Sequence, residues 1–107
     1  MDQAQASAGD KPRLVLQTAD VRVVEYVMPP GTWHRWHRHS EVTDRFWCLE
    51  GTIAVEVRDP PRAERLIPGQ SLTLAPGLVH RAGNPGDAVG RYLLVQGIGR
   101  YDYIAEP

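Results

Sequence analysis

Turn punctuation constrains this chain more than anything else in it. Its 107 residues include 10 glycines and nine prolines. Many of them cluster: Pro29-Pro30-Gly31, Asp59-Pro60-Pro61, Pro68-Gly69, Ala75-Pro76-Gly77 and Asn84-Pro85-Gly86-Asp87. Such clusters supply the fixed and left-handed backbone angles of tight turns. No segment between them keeps an apolar period near 3.6 for the length of an ordinary helix. Short segments with β-branched and alternating residues remain. We read strands at Arg13–Gln17, Val21–Met28, Arg45–Leu49, Thr52–Arg58, Ala63–Ile67, Ser71–Leu74, Val79–Ala82 and Arg91–Gln96, with Trp33–His39 also extended. Many short strands with frequent turns give an all-β sandwich or barrel, with any helix confined to the termini.

The length suits one domain. Residues 1–11 lack aromatic and β-branched side chains and are expected to form a flexible arm, leaving residues 12–107 as the domain. Twelve basic and 13 acidic residues give a net charge of -1, and all the basic residues but Lys11 are Arg. No basic excess points to nucleic acid or an anionic membrane surface. The N-terminal residues have no apolar run of the signal-peptide kind, and Cys48 is the lone cysteine, so no disulfide framework forms within the chain. A cytoplasmic setting is the expectation.

The chemistry concentrates in histidine. There are four, His34, His37, His39 and His80, and three fall within six residues. On an extended strand His37 and His39 project from the same face, side by side as two ligands of one metal require. Neutral imidazole suits Zn, Fe, Ni, Cu and Mn alike. His34 has the opposite parity and points away unless a bulge intervenes. Asp44 opens the next strand and shares a face with Phe46 and Cys48. Glu41 is a second candidate carboxylate, and Asp44 is favoured on parity and spacing. His80 follows a glycine turn at another strand start. Neither a phosphate-binding glycine loop, nor a zinc-type pair of cysteines, nor a serine-hydrolase order of residues is present.

The spacing of these residues resembles the cupin family. Gly31 is followed after five residues by His37-Arg38-His39, after four more by Asp44, and after six more by Gly51. Gly69 is followed after five residues by Ala75-Pro76-Gly77, after two more by His80, and after three more by Asn84. These match the two cupin motifs in order and without a gap, over roughly Val21 to Gln96. Two positions depart: Asp44 stands where the family has Glu, and Ala75 where it has Pro. The resemblance implies a cupin-like antiparallel β-barrel, a double-stranded β-helix of jelly-roll type. It implies one divalent transition metal per chain (Fe, Mn, Ni, Cu or Zn), held by His37, His39, His80 and Asp44. Because Asp is a methylene shorter than Glu, a three-His set completed by water stays open. Gly31, Gly51, Gly69 and Gly77 match turn positions, and Asn84 a turn residue.

Strand parity then nominates lining residues. Trp33 and Arg35 share the face of His37 and His39, and Phe46 and Cys48 share that of Asp44. Cys48 reads as a small buried hydrophobe. Arg35, Arg38 and Arg45 flank the histidines and suit an anionic ligand, because a guanidinium grips a carboxylate in a two-point fork. Trp36, Arg38 and Trp47 point outward, and a homodimer would cover them. Tyr101 and Tyr103 read as core-capping aromatics. The functional expectation is a metal-dependent enzyme for a small, oxygen-rich, anionic molecule, such as a dioxygenase or a Lewis-acid isomerase or lyase. Two alternatives stand beside it: a non-catalytic ligand-binding or sensor module with a structural metal, and a metal-free sugar isomerase or epimerase barrel with His as general base.

Overall fold

The computed structural model describes residues 12–107; the arm expected at residues 1–11 lies outside the described residues. Ten strands follow in order: β1 (Arg13–Gln17), β2 (Val21–Met28), β3 (His37–Arg38), β4 (Thr43–Glu50), β5 (Ile53–Val57), β6 (Arg62–Leu66), β7 (Ser71–Leu74), β8 (His80–Gly83), β9 (Gly90–Gly97) and β10 (Ile104–Ala105). They form two antiparallel sheets of five, β1-β2-β9-β4-β7 and β10-β3-β8-β5-β6. No helix occurs among the described residues.

Alternation along β2, β9 and β4 builds the interior in rungs. Val24 pairs with Leu94 and Leu94 with Phe46; Tyr26 pairs with Tyr92 and Tyr92 with Cys48. All six side chains are buried, and Ile53, Val55, Val57 and Ala82 of the other sheet join the same core. Each large apolar side chain so buried contributes roughly 1.5–3 kcal/mol. One rung breaks the apolar pattern. Arg22 pairs with Gln96 and Gln96 with Asp44, three polar residues facing inward and almost fully buried.

The turns do what their glycines require. Gly31, Gly51, Gly69 and Gly77 all have positive φ. At Gly51 (φ +68°) a Cβ would also stand 2.5 Å from the Val89 carbonyl oxygen, so only glycine closes this hairpin against the 88–90 loop. The Asn84 side-chain amide donates to the carbonyls of Met28 and Ala88 and its oxygen accepts from Gly86 N–H. It pins that loop to the end of β2, as expected of a turn residue.

The Trp33–His39 segment departs from a continuous strand. Trp33 makes an isolated bridge to Gly83, His34 N–H bonds the Ala82 carbonyl, and ladder pairing resumes only at His37. The intervening residues act as a bulge does, shifting which side chains face inward. His34 and His37 both end up buried, although three residues apart.

Candidate metal centre

Ladder register brings the histidines together. His37 of β3 lies opposite His80 of β8, and the turn after β7 locks onto them through Gly77 N–H donating to the His39 carbonyl at 2.8 Å. From the facing sheet, β4 projects Asp44 inward. One ligand atom from each of His37, His39, Asp44 and His80 lies within 4.8 Å of the others, and all four residues are buried.

The ring orientations are set by backbone carbonyls. His37 Nδ1 is 2.8 Å from Arg35 O, His80 Nδ1 is 2.8 Å from Leu78 O, and His39 Nδ1 is 2.6 Å from Asp102 O. A carbonyl only accepts, so each Nδ1 carries the proton and each neutral ring turns an Nε2 lone pair inward. Asp44 Oδ2 sits 2.9 Å from His80 Nε2 and 3.2 Å from His39 Nε2. An acceptor oxygen and acceptor nitrogens at this distance need a cation or a proton between them. That is the arrangement a divalent metal satisfies, and the residues therefore fit one.

The fourth residue is held as firmly. Arg22 Nη1 donates to Gln96 Oε1 at 2.6 Å, and Gln96 Nε2 donates to Asp44 Oδ1 at 3.0 Å. Because a guanidinium can only donate, the Gln96 oxygen must face Arg22 and its amide must face Asp44. Oδ1 is thereby engaged, and Asp44 presents Oδ2 to the histidines.

Titration follows from this geometry. Burial pulls the His37 pKa down to about 3, with repulsion from His80 adding to it. Burial opposes charge on His39 too, but its contact with the Asp44 carboxylate outweighs that and raises its pKa. Burial also favours neutral Asp44, yet His39 and His80 hold its carboxyl well below the usual carboxylate range.

A cavity of ≈ 10 Å³, enough for about one water, adjoins the cluster and is lined by His34, Phe46, Tyr26 and Tyr92 among others. Of the expected lining residues, Phe46 is there. Trp33 and Arg35 are not: the break at residues 34–36 reverses their parity. The Trp33 ring lies where a Gly83 Cβ would be, on the outer face of β8 beside Arg81, and Arg35 is exposed. Cys48 is buried in the core one rung beyond Phe46 and is absent from the cavity wall; burial raises its thiol pKa. His34 takes the inward place instead, edge-on to Tyr26 with ring centroids 4.7 Å apart. Trp36 and Trp47 do face outward, covered by guanidinium groups of Arg58, Arg81 and Arg45.

Sequence reading missed the strap of residues 98–105. Tyr103 stacks on His37 at 4.8 Å between centroids, Tyr101 lies 5.5 Å from His39, and Asp102 supplies the acceptor for His39. Ser40 N–H to Asp102 Oδ1, Arg100 N–H to Glu41, and the β10–β3 pairing fasten it. The tyrosines are thus walls of the site. Only a β10 strand prediction would have found them, and two paired residues leave no periodic signal.

The cupin-domain family model matches residues 24–96. This chain belongs to the cupin family. Among solved structures the cupin resembles an uncharacterized conserved protein with a double-stranded beta-helix domain from Klebsiella pneumoniae subsp. pneumoniae MGH 78578 (TM-score 0.81, 24% identity, 95% of this chain and 89% of that one). It also resembles an oxalate oxidase (TM-score 0.77, 14% identity, 95% of this chain and 57% of that one). At these identities the likeness is one of fold. A stretch of 57 residues is 35% identical to mannose-1-phosphate guanylyltransferase of Sinorhizobium fredii (strain NBRC 101917 / NGR234), covering 53% of this cupin and 11% of that protein.

Proposed function

We propose that this cupin is a metal-dependent enzyme acting on a small, oxygen-rich, anionic molecule, with one divalent transition metal (Fe, Mn, Ni, Cu or Zn) held by His37, His39, Asp44 and His80. The observation that carries this reading is the convergence of three inward Nε2 lone pairs and one carboxylate oxygen, each oriented from behind by a fixed hydrogen bond. When bound, such an ion supplies Lewis acidity or dioxygen activation. The chain's own groups do the rest. Backbone carbonyls keep the histidine tautomers, Gln96 restricts Asp44 to one oxygen, and Tyr101 and Tyr103 keep bulk water from His39 and His37. His34 and Tyr26 line the adjoining cavity, where they can orient a small molecule.

The same small cavity and fastened strap favour a second reading, a non-catalytic module whose metal is structural. Closed coordination marks structural sites and an open position marks catalytic ones. Elemental analysis of untagged protein purified without chelator should find about one equivalent of metal, absent from His80→Ala and His37→Ala. No metal after reconstitution would overturn both readings. If Mn²⁺ binds, water-proton relaxation separates them: strong enhancement means an exchangeable water and an open position, and its absence means the structural role.

We further propose that the cupin is a homodimer working in the cytoplasm. Support for the first is the edge strand β1, where Leu14, Val15 and Leu16 are 46–55% exposed, apolar surface a partner would cover. The lone, buried Cys48 supports the second. Light scattering at twice the monomer mass is the expected result.

A further inference from the structure

Outside the polar rung lies a second cavity, ≈ 250 Å³, a cleft open to solvent between the β1–β2 turn and the strap. Arg22 and Arg100 line it, together with Thr18 and Tyr101. Arg22 is only 4% exposed. Its Nη1 is committed to Gln96, and the Tyr101 ring braces it with the guanidinium carbon 4.3 Å from the ring centroid. None of the ion pairs formed among the described residues includes Arg22. The acid nearest in sequence, Asp20, instead accepts the Thr18 hydroxyl.

A guanidinium has five N–H donors, and Gln96 uses one group of them. Burying a charge without an opposite charge in contact is costly. A buried, rigidly braced guanidinium at the floor of a solvent-open cleft is therefore prepared for an anion: two parallel N–H groups match the two oxygens of a carboxylate or phosphate. Bracing by Gln96 and Tyr101 reduces the ordering that binding would otherwise require. Arg100, exposed at the rim, adds a second positive charge. Below the usual ~300–1,000 Å³ of ligand pockets, the space admits only a compact molecule.

We propose that this cavity is a binding site for a small carboxylate or phosphate anion, gripped by Arg22 from within and by Arg100 from the rim. The site is distinct from the His–Asp cluster, with Tyr101 and Gln96 standing between them. It does not depend on a metal being bound.

The test is titration of the full chain, metal-free and metal-loaded, with malonate and with inorganic phosphate in low-salt buffer. Calorimetry gives the affinity, and amide NMR shifts give the location. Saturable one-to-one binding of either probe is expected, with shifts at residues 18–22 and 99–101. Arg100→Ala, an exposed change that leaves the fold intact, should weaken binding roughly two- to fivefold, the scale of a surface ion pair. Arg22→Lys keeps the charge but loses the fork, and should weaken it about tenfold or more. His80→Ala should bind the anion as wild type does, whatever its metal content. Failure of both probes to saturate, wild-type affinity in Arg22→Lys, or loss of binding in a folded His80→Ala would each overturn the assignment.

Discussion

Two rungs of the same ladder, both facing inward and both buried, follow opposite physics. Tyr26, Tyr92 and Cys48 span β2, β9 and β4 at one level; Arg22, Gln96 and Asp44 span the same strands at another, with Val24, Leu94 and Phe46 between. The aromatic rung gains by leaving water. The polar rung loses by it, and persists only because each group finds a fixed partner, Arg22 on Gln96 and Gln96 on Asp44. Stability and chemistry are thus separated by one intervening rung along a single sheet. The barrel tolerates a costly cluster of histidines and a carboxylate because the rungs beside it are apolar.

The sharpest test of that division is to cut the polar rung and the apolar rung directly beside it, which holds Phe46. Phe46→Ala removes a buried ring touching both Tyr92 and His80 and should lower the unfolding free energy by about 3–5 kcal/mol, read by urea denaturation. Gln96→Leu keeps the volume but strands Arg22 and Asp44 without their shared partner. It should cost a comparable amount, about 1–3 kcal/mol or more for each of the two charged groups left unsatisfied, while weakening metal binding well beyond what Phe46→Ala does at temperatures where both are folded. Equal effects of the two variants on metal affinity would erase the distinction between the rungs.

How far the sequence discloses these rungs varies. The strands of the main sheet are legible from alternation and turn clusters, because one face is buried and the period is two. The grouping of His37, His39, Asp44 and His80 is legible through the resemblance of their spacing to the two cupin motifs. Arg22 and Gln96 have the inward parity of Val24 and Leu94, so the signal was present, but a polar residue on an apolar face reads as an exception until its partner is seen across the ladder. The Trp33–His39 segment misleads for a different reason. Parity holds only while the ladder continues, and there it lapses for residues 34–36, exchanging Trp33 and Arg35 for His34. The strap contacts arise from tertiary docking, where Asp102 offers His39 a backbone carbonyl that no side-chain pattern encodes.

The smallest effect isolates one member of the cluster by pH, in protein stripped of metal. His37 has a folded pKa near 3 against an unfolded value of 6.5. Above pH 6.5 both states are neutral at this ring and it contributes no pH dependence. Below 6.5 the unfolded chain takes up a proton that the folded one refuses, so stability falls with falling pH, by less than about 1.4 kcal/mol per unit for one proton. His39 has a raised folded pKa, so its contribution is fully present below 6.5 and is lost only as pH rises through the folded value. Asp44 and Glu25 have lowered values, and their contributions fade only as pH drops below their unfolded values of 3.8 and 4.5. Of these four groups, His37 alone acts between pH 6.5 and 4.5. The urea midpoint of wild-type apoprotein should decline across that window, and His37→Gln should flatten the decline. Parallel profiles in the two proteins would mean that His37 takes its proton in the folded state, and that the cluster beside the aromatic rung is wetter than its burial implies.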